Sequence, residues 1–342
     1  MDSITQAALG ATLAGAVAGK TLGRRALLCG AVLGTLPDLD VVLDYGTAVA
    51  NFTQHRGFSH SVFVLFPLAI ALAWAGWRWK PKLGFRRWLL LTALVLLTHP
   101  LLDTFTTYGT QLFWPFGPPL AISSIFIIDP LYTLPLLVAC LIFLVRPPAR
   151  PALTAGLALS TLYLGWSLVA QHIITSRVQP TLALAGMADA RLLVQPMPFN
   201  TVLWRATAMT PERRVEIVTG FLDGTTPPDP ELFPRHPELA DAVSTFPEAR
   251  RLEWFTHGFL AYDQTDSGIT ATDVRLGIPG AHPFTFVLAE QTDDGLQPVA
   301  SVRAPQPAFK PDALPMLWSR MTGEIPTLCL ATLQAPQPGQ DC

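Results

Sequence analysis

Residues 62–79 read VFVLFPLAIALAWAGWRW, eighteen residues in which the one charge, Arg78, lies next to the end. About 20 apolar residues in a helix cross the hydrocarbon core of a bilayer, so this stretch predicts a membrane-spanning helix. Trp74, Trp77, Trp79 and the nearby Trp88 would sit in the aromatic belt at headgroup level. Working outward, similar runs occupy about 88–103 (WLLLTALVLLTHPLLD), 122–145 and 152–172. Toward the start of the chain, 4–19 and 26–36 are rich in Ala, Gly, Leu and Thr. Small residues such as Gly10, Gly15 and Gly19 let helices pack closely in a membrane. The run at 26–36 spans only by tilting, by thinning the bilayer, or by ending in a polar cavity.

Composition agrees with this reading. Half of the 342 residues are hydrophobic and 14% are charged, against about 25% charged in soluble chains. A net charge of -2 gives no reason to expect a nucleic-acid partner. The opening MDSITQ lacks the basic start of a signal peptide, so the first apolar run is expected to be retained.

Basic residues set the orientation of membrane helices, because cytoplasmic loops collect them. Lys20, Arg24 and Arg25 form one basic loop. Arg78, Lys80, Lys82, Arg86 and Arg87 form the next, and Arg146 and Arg150 the third. With all three in the cytoplasm, the six runs cross the membrane and both termini lie outside. The opposite helix ends then share the outer face. They carry PDLD (37–40), HRGFSH (55–60), HPLLD (99–103) and Asp129.

The texture changes near residue 175. The expected division is a polytopic membrane domain at 1–175 and a soluble, β-rich domain at 176–342. The fold class is therefore an α-helical integral membrane domain with a C-terminal, mainly β extramembrane domain. Alternation and β-branched residues predict strands in 202–210, 214–223, 251–264, 270–278 and 284–290. The proline-rich pieces at 226–237 and 303–315 read as loops, and His257 as part of a strand. Cys29 and Cys140 read as small buried hydrophobes. Cys329 and Cys342 would bridge only in an oxidising compartment. Their spacing matches no framework, so the expectation is against a bridge.

Three polar runs carry the candidate chemistry. His99 and Asp103 are four apart and share a helix face. Both can ligate one metal, or Asp103 can orient His99. In HRGFSH, His55 and His60 are five apart, which suits a turn in which Gly57 folds the chain back. Arg56 would suit an anionic substrate group, and Ser59 and Ser61 could bond ligands or water. Asp38 and Asp40 alternate after a helix-ending proline, placed to bind one metal, to flank two, or to take a proton from water. Alone, PDLD reads as a solvated helix end and the HRGFSH histidines as loop surface, whereas HPLLD already favours a ligand pair, because ionisable groups near membrane depth are costly to bury. Together they predict a mixed imidazole–carboxylate site for zinc, with manganese as a second choice and calcium disfavoured.

At this point a family resemblance enters. MDSITQAALGA, GTLPDLD, HRGFSHS, LTHPLLDTFTTYGTQLFWPF and IIDPLY, in that order, resemble the inner-membrane metal-dependent hydrolase family often called YdjM-like, over roughly residues 1–175. The resemblance implies a multi-pass protein of the bacterial inner membrane. It also implies His55, His60, His99 and Asp103 as metal-site residues, with Asp38 and Asp40 beside them. Where many relatives carry histidine in the opening motif, this chain has Gln6, so the site has one ligand fewer or that position is no ligand.

The expected function is metal-dependent hydrolysis of an ester or phosphoester in a membrane lipid or lipid-linked small molecule, with the C-terminal domain periplasmic. Asp38 or Asp40 would serve as base and Arg56 as anion holder. The competing classes are a membrane binding or transport protein and an envelope scaffold. Transport needs polar groups near the midplane, whereas these crowd one end.

Overall fold

The computed structural model describes residues 1–224, 227–266, 268–293, 295–305, 313–325, 327–332 and 334. The chain divides into two compact units. One comprises Met1–Leu43, Gln54–Val169 and Pro198–Asn200, and the other Asp44–Thr53, Ala170–Met197 and Thr201–Cys342.

The first unit is helical. It contains α1 (Ser3–Leu22), α2 (Arg25–Thr35), α4 (Val62–Trp79), α5 (Phe85–Asp103), α6 (Pro130–Val145) and the start of α7 (Arg150–Leu184); α3 (Ala48–Gln54) belongs mostly to the second unit. Asp2 starts α1 by accepting from the amides of Ile4 and Thr5, which satisfies donors that a helix leaves open. Glycine brings α1 and α2 into backbone contact. A Cβ on Gly10 would lie 2.2 Å from the Gly30 carbonyl oxygen, and one on Gly34 2.5 Å from that of Gln6. Farther along, α4 and α5 form a hairpin in which Thr92 Oγ1 donates to the Ala69 carbonyl at 2.8 Å.

Among the described residues, α4, α5 and α7 are long and apolar enough to cross a membrane, whereas α2 and α6 are shorter apolar helices. The run expected as a helix from 122 begins at Pro130 instead. Asp129 caps it there through the amides of Leu131 and Tyr132. The preceding backbone is tied to the end of α5, with Ile122 donating to Thr104 and Ser124 to Phe105.

The basic residues gather at one end of this bundle. Arg24 Nε donates to the Leu144 carbonyl at the end of α6, and Arg150 Nε to that of Ala16 in α1. PDLD, HRGFSH and the last turn of α5 lie at the other ends of their helices.

The second unit holds two four-stranded antiparallel sheets. The first runs β1 (Arg191–Pro196), β2 (Leu203–Met209), β3 (Arg213–Gly220) and β4 (Pro230–Pro234), in that order. The second runs β5 (Leu260–Thr265), β6 (Gly268–Asp273), β7 (Thr285–Thr292) and β8 (Gly295–Arg303). Ala170, Ile174, Val178 and Leu182, four apart on α7, pack on Trp204, Ala206 and Ala208 of β2 and Val215 and Ile217 of β3. These are the two periods by which a helix and a strand each present one face. Phe52 of α3 packs against Phe255, Phe284 and Phe286 at 4.6–5.3 Å between ring centroids.

The second unit departs from expectation at several points. The first part of 251–264 is helical, as α9 (Pro247–Thr256), and only its end is strand. Pro247 suits a first helical position, and Ala249, Leu252 and Phe255 recur three apart on the buried face. His257 ends that helix with φ 54° and is no strand residue. The proline-rich 226–237 contains β4 and the start of α8 (Pro237–Val243). The other proline-rich piece, 303–315, lies partly outside the described residues, and α10 (Ala313–Thr322) begins within it. Cys329 is disulfide-bonded, against expectation; Cys342 lies outside the described residues.

Candidate metal centre

Four short pieces of chain build the site. Pro37 ends the path of α2 and opens a 3-10 turn, Pro37–Val42, that carries Asp38 and Asp40. A second 3-10 turn, Phe58–His60, carries His60 and leads into α4. The last turn of α5 carries His99 and Asp103 on one face. The first turn of α1 supplies Gln6.

Asp38, His60, His99 and Asp103 each aim one ligand atom at a common point, and these atoms all lie within 4.8 Å of one another. His60 Nε2 and His99 Nε2 are 3.1 Å apart. Asp38 Oδ1 lies 3.4 Å from each nitrogen, and Asp103 Oδ2 lies 3.3 and 3.4 Å from them. His60, His99 and Asp103 are buried.

The hydrogen bonds behind these atoms decide what the point can hold. His99 Nδ1 lies 2.6 Å from the Gly34 carbonyl oxygen and must donate to it. Ser59 Oγ gives its one proton to Asp40 Oδ2 at 2.7 Å, so it accepts from His60 Nδ1 at 2.8 Å. Both Nε2 atoms are then left with lone pairs. Asp103 Oδ1 is engaged by the Met1 amino group, by Gln6 Nε2 at 3.1 Å and by Arg56 at 3.5 Å. Asp103 Oδ2 and Asp38 Oδ1 are buried with no hydrogen-bond partner. Four acceptor atoms thus converge with no donor among them. Unpaired buried polar atoms are costly, and a cation at their centre removes the cost. The group could hold a metal ion.

His55 and Asp40 stand outside this group. Asp40 Oδ1 meets His55 Nδ1 at 2.9 Å, and Oδ2 accepts from the Arg56 amide and from Ser59. Burial opposes ionisation of Asp40, but the hydrogen bonds from His55 and Ser59 outweigh it and hold the carboxyl below its usual range. Arg56 is buried, with Nη1 toward Asp103 and Thr106 and Nη2 toward the Met1 carbonyl. It braces the Asp103 carboxylate from behind. The tight turn is made by Arg56 itself, at φ 59°, rather than by Gly57 at φ −87°. Gly57 is needed for space, since a Cβ there would come 2.7 Å from the Gln54 carbonyl oxygen.

Some of this escapes sequence reasoning. The Gly34 carbonyl and the Met1 amino group carry no motif. The one available signal is that a metal-binding imidazole wants an acceptor on its other nitrogen.

A helical bundle with three apolar candidate spans and a buried Asp/His/His/Asp group at one end defines a membrane protein with a possible metal-binding cluster. The family model described as YdjM inner membrane protein matches residues 1–174, and the chain belongs to that family. It is similar to the inner membrane protein YbcI of Escherichia coli (strain K12), with 38% identity over 112 residues, 32% of this chain and 64% of the relative. It is also similar to the protein YfhP of Bacillus subtilis (strain 168), with 30% identity over 124 residues, 34% of this chain and 38% of the relative. The matches thus span under two thirds of either relative's length. No solved structure matches.

Proposed function

We propose that this chain is a zinc-dependent hydrolase at the outer face of the inner membrane. Its substrate is an ester or phosphoester of a lipid or lipid-linked molecule. The observation that carries the reading is the convergence of four lone-pair atoms, two of them on carboxylates with no other partner. Two imidazoles with two carboxylates suit zinc or manganese better than calcium. A bound divalent ion would polarise the oxygen under attack and acidify water. The chain's own part is to fix the donors: Gly34 and Ser59 set the two imidazoles, and Gln6, Arg56 and Met1 hold Asp103.

A lipid substrate is supported by the surroundings of Asp38. Leu39, Val41, Val42 and Leu43 follow it in sequence and are all exposed, as are Phe58, Phe113 and Phe116. Exposed apolar side chains in a membrane protein face acyl chains at little cost. The outer location is supported by the basic residues at the opposite helix ends and by the disulfide at Cys329, since such bonds persist in oxidising compartments.

A lipid-hydrolysis screen of zinc-loaded protein in detergent, run beside His99→Ala, tests this reading. Product from the parent alone is expected. Equal product from both proteins removes the site from the chemistry.

A further inference from the structure

The strongest group outside the metal cluster is His55. Asp40 holds its Nδ1 at 2.9 Å, and Nε2 has no partner among the described residues. Its ring lies 6.2 Å from that of His60 and 5.6 Å from that of Tyr108, centroid to centroid. The side chains of His60, His99 and Asp103 are fully shielded, whereas those of Asp38 and His55 keep 17% and 27% exposure. Among these side chains, solvent therefore reaches those of Asp38 and His55. Asp40 is poorly placed to take a proton from water there: its oxygens already serve three donors, and it is 5% exposed.

We infer that His55 is the proton-transfer residue of this site and that Asp40 is its positioning residue, an inference that rests on the hydrolytic reading above. In the reaction, His55 Nε2 takes a proton from the attacking water as the water oxygen bonds to the acyl carbon or phosphorus. It then gives that proton to the leaving oxygen as the ester bond to that oxygen breaks. Water and ester become acid and alcohol, and the imidazole ends as it began. A buried carboxylate on Nδ1 fixes the ring and its tautomer, as in other histidine–aspartate pairs. The same carboxylate reaches His60 through Ser59, so one aspartate aligns the proton carrier and a metal-facing imidazole.

The test compares full-length parent, His55→Ala and His99→Ala in detergent. The probes are the 4-nitrophenyl and ethyl esters of octanoate and of octyl phosphate. His55→Ala is expected to keep the parent's zinc content while His99→Ala loses it. Ethyl-ester turnover in His55→Ala falls about 100-fold or more, the 4-nitrophenyl loss is smaller because that oxygen leaves without a proton and only the base step is lost, and added imidazole restores part of the ethyl-ester rate. Equal losses on both leaving groups with no imidazole rescue, or no loss at all, overturn the role of His55 while the hydrolytic reading stands. Loss of zinc from His55→Ala makes His55 a ligand and overturns it too. A parent inactive on every probe overturns the hydrolytic reading and this role with it.

Discussion

Ser59 shows how little at the residue scale decides the site. Its hydroxyl has one proton and gives it to Asp40. That single choice puts the His60 proton on Nδ1 and leaves Nε2 to face His99. Ser59→Ala removes the acceptor on Nδ1 and one donor to Asp40. Partners of this kind are worth about 10–100-fold in metal affinity. Competition against a chromophoric chelator should show zinc affinity reduced by about that factor, with the fold intact; unchanged affinity would mean the relay is idle. Gln6 has a comparable place behind a ligand. Its Nε2 donates both to the His99 carbonyl and to Asp103 at 3.1 Å, so this position steadies a carboxylate from the side away from the metal point.

At the scale of elements, the membrane half was legible because its signals are local and strong. An apolar run bounded by arginines reads as a helix in any context, and α4 and α5 begin and end close to the expected positions. The motif residues were legible too, since His60, His99, Asp103 and Asp38 each stand out at the end of an apolar run. What was not legible was the division of labour among them. Whether His55 or His60 joins the converging group depends on the left-handed turn at Arg56, and nothing in HRGFSH marks that residue for positive φ. In the tail, α9 was misread as strand because its buried face is only Ala249, Leu252, Phe255 and Thr256, too short a stripe to outweigh the aromatic residues. One tail element carries a pH prediction. His282 donates from Nδ1 to the Leu276 carbonyl at 2.8 Å, and burial, helped by nearby Arg205, pushes its pKa down to about 3. An unfolded histidine titrates at about 6.5. As pH falls below that value the unfolded state takes up the proton first, so stability present above about 6.5 is lost progressively down to about 3. Chemical denaturation of the protein across this range should show a shallower pH slope for His282→Gln than for the parent; an identical slope would contradict the assignment.

At the scale of the whole molecule, the arrangement follows from charge. The basic residues gather at one end of the helical unit, with Arg24 and Arg150 bonded to carbonyls there, and the His and Asp residues gather at the other. On our proposal, the positive-inside rule puts the candidate metal cluster at the outer face. A reporter fused after residue 175 is expected to be active in its periplasm-sensing form, and a cytoplasmic signal at that point would contradict the orientation. The family match covers residues 1–174, and the two antiparallel sheets of the tail lie beyond it.

X-ray absorption at the zinc edge on detergent-purified, zinc-loaded protein reads the ligands of the cluster itself. One ion is expected, bound by two imidazole nitrogens and carboxylate oxygens at about 2.0–2.2 Å, with no sulfur and with imidazole scattering diminished in His60→Ala. An absence of bound zinc, or a shell without imidazole, would contradict it.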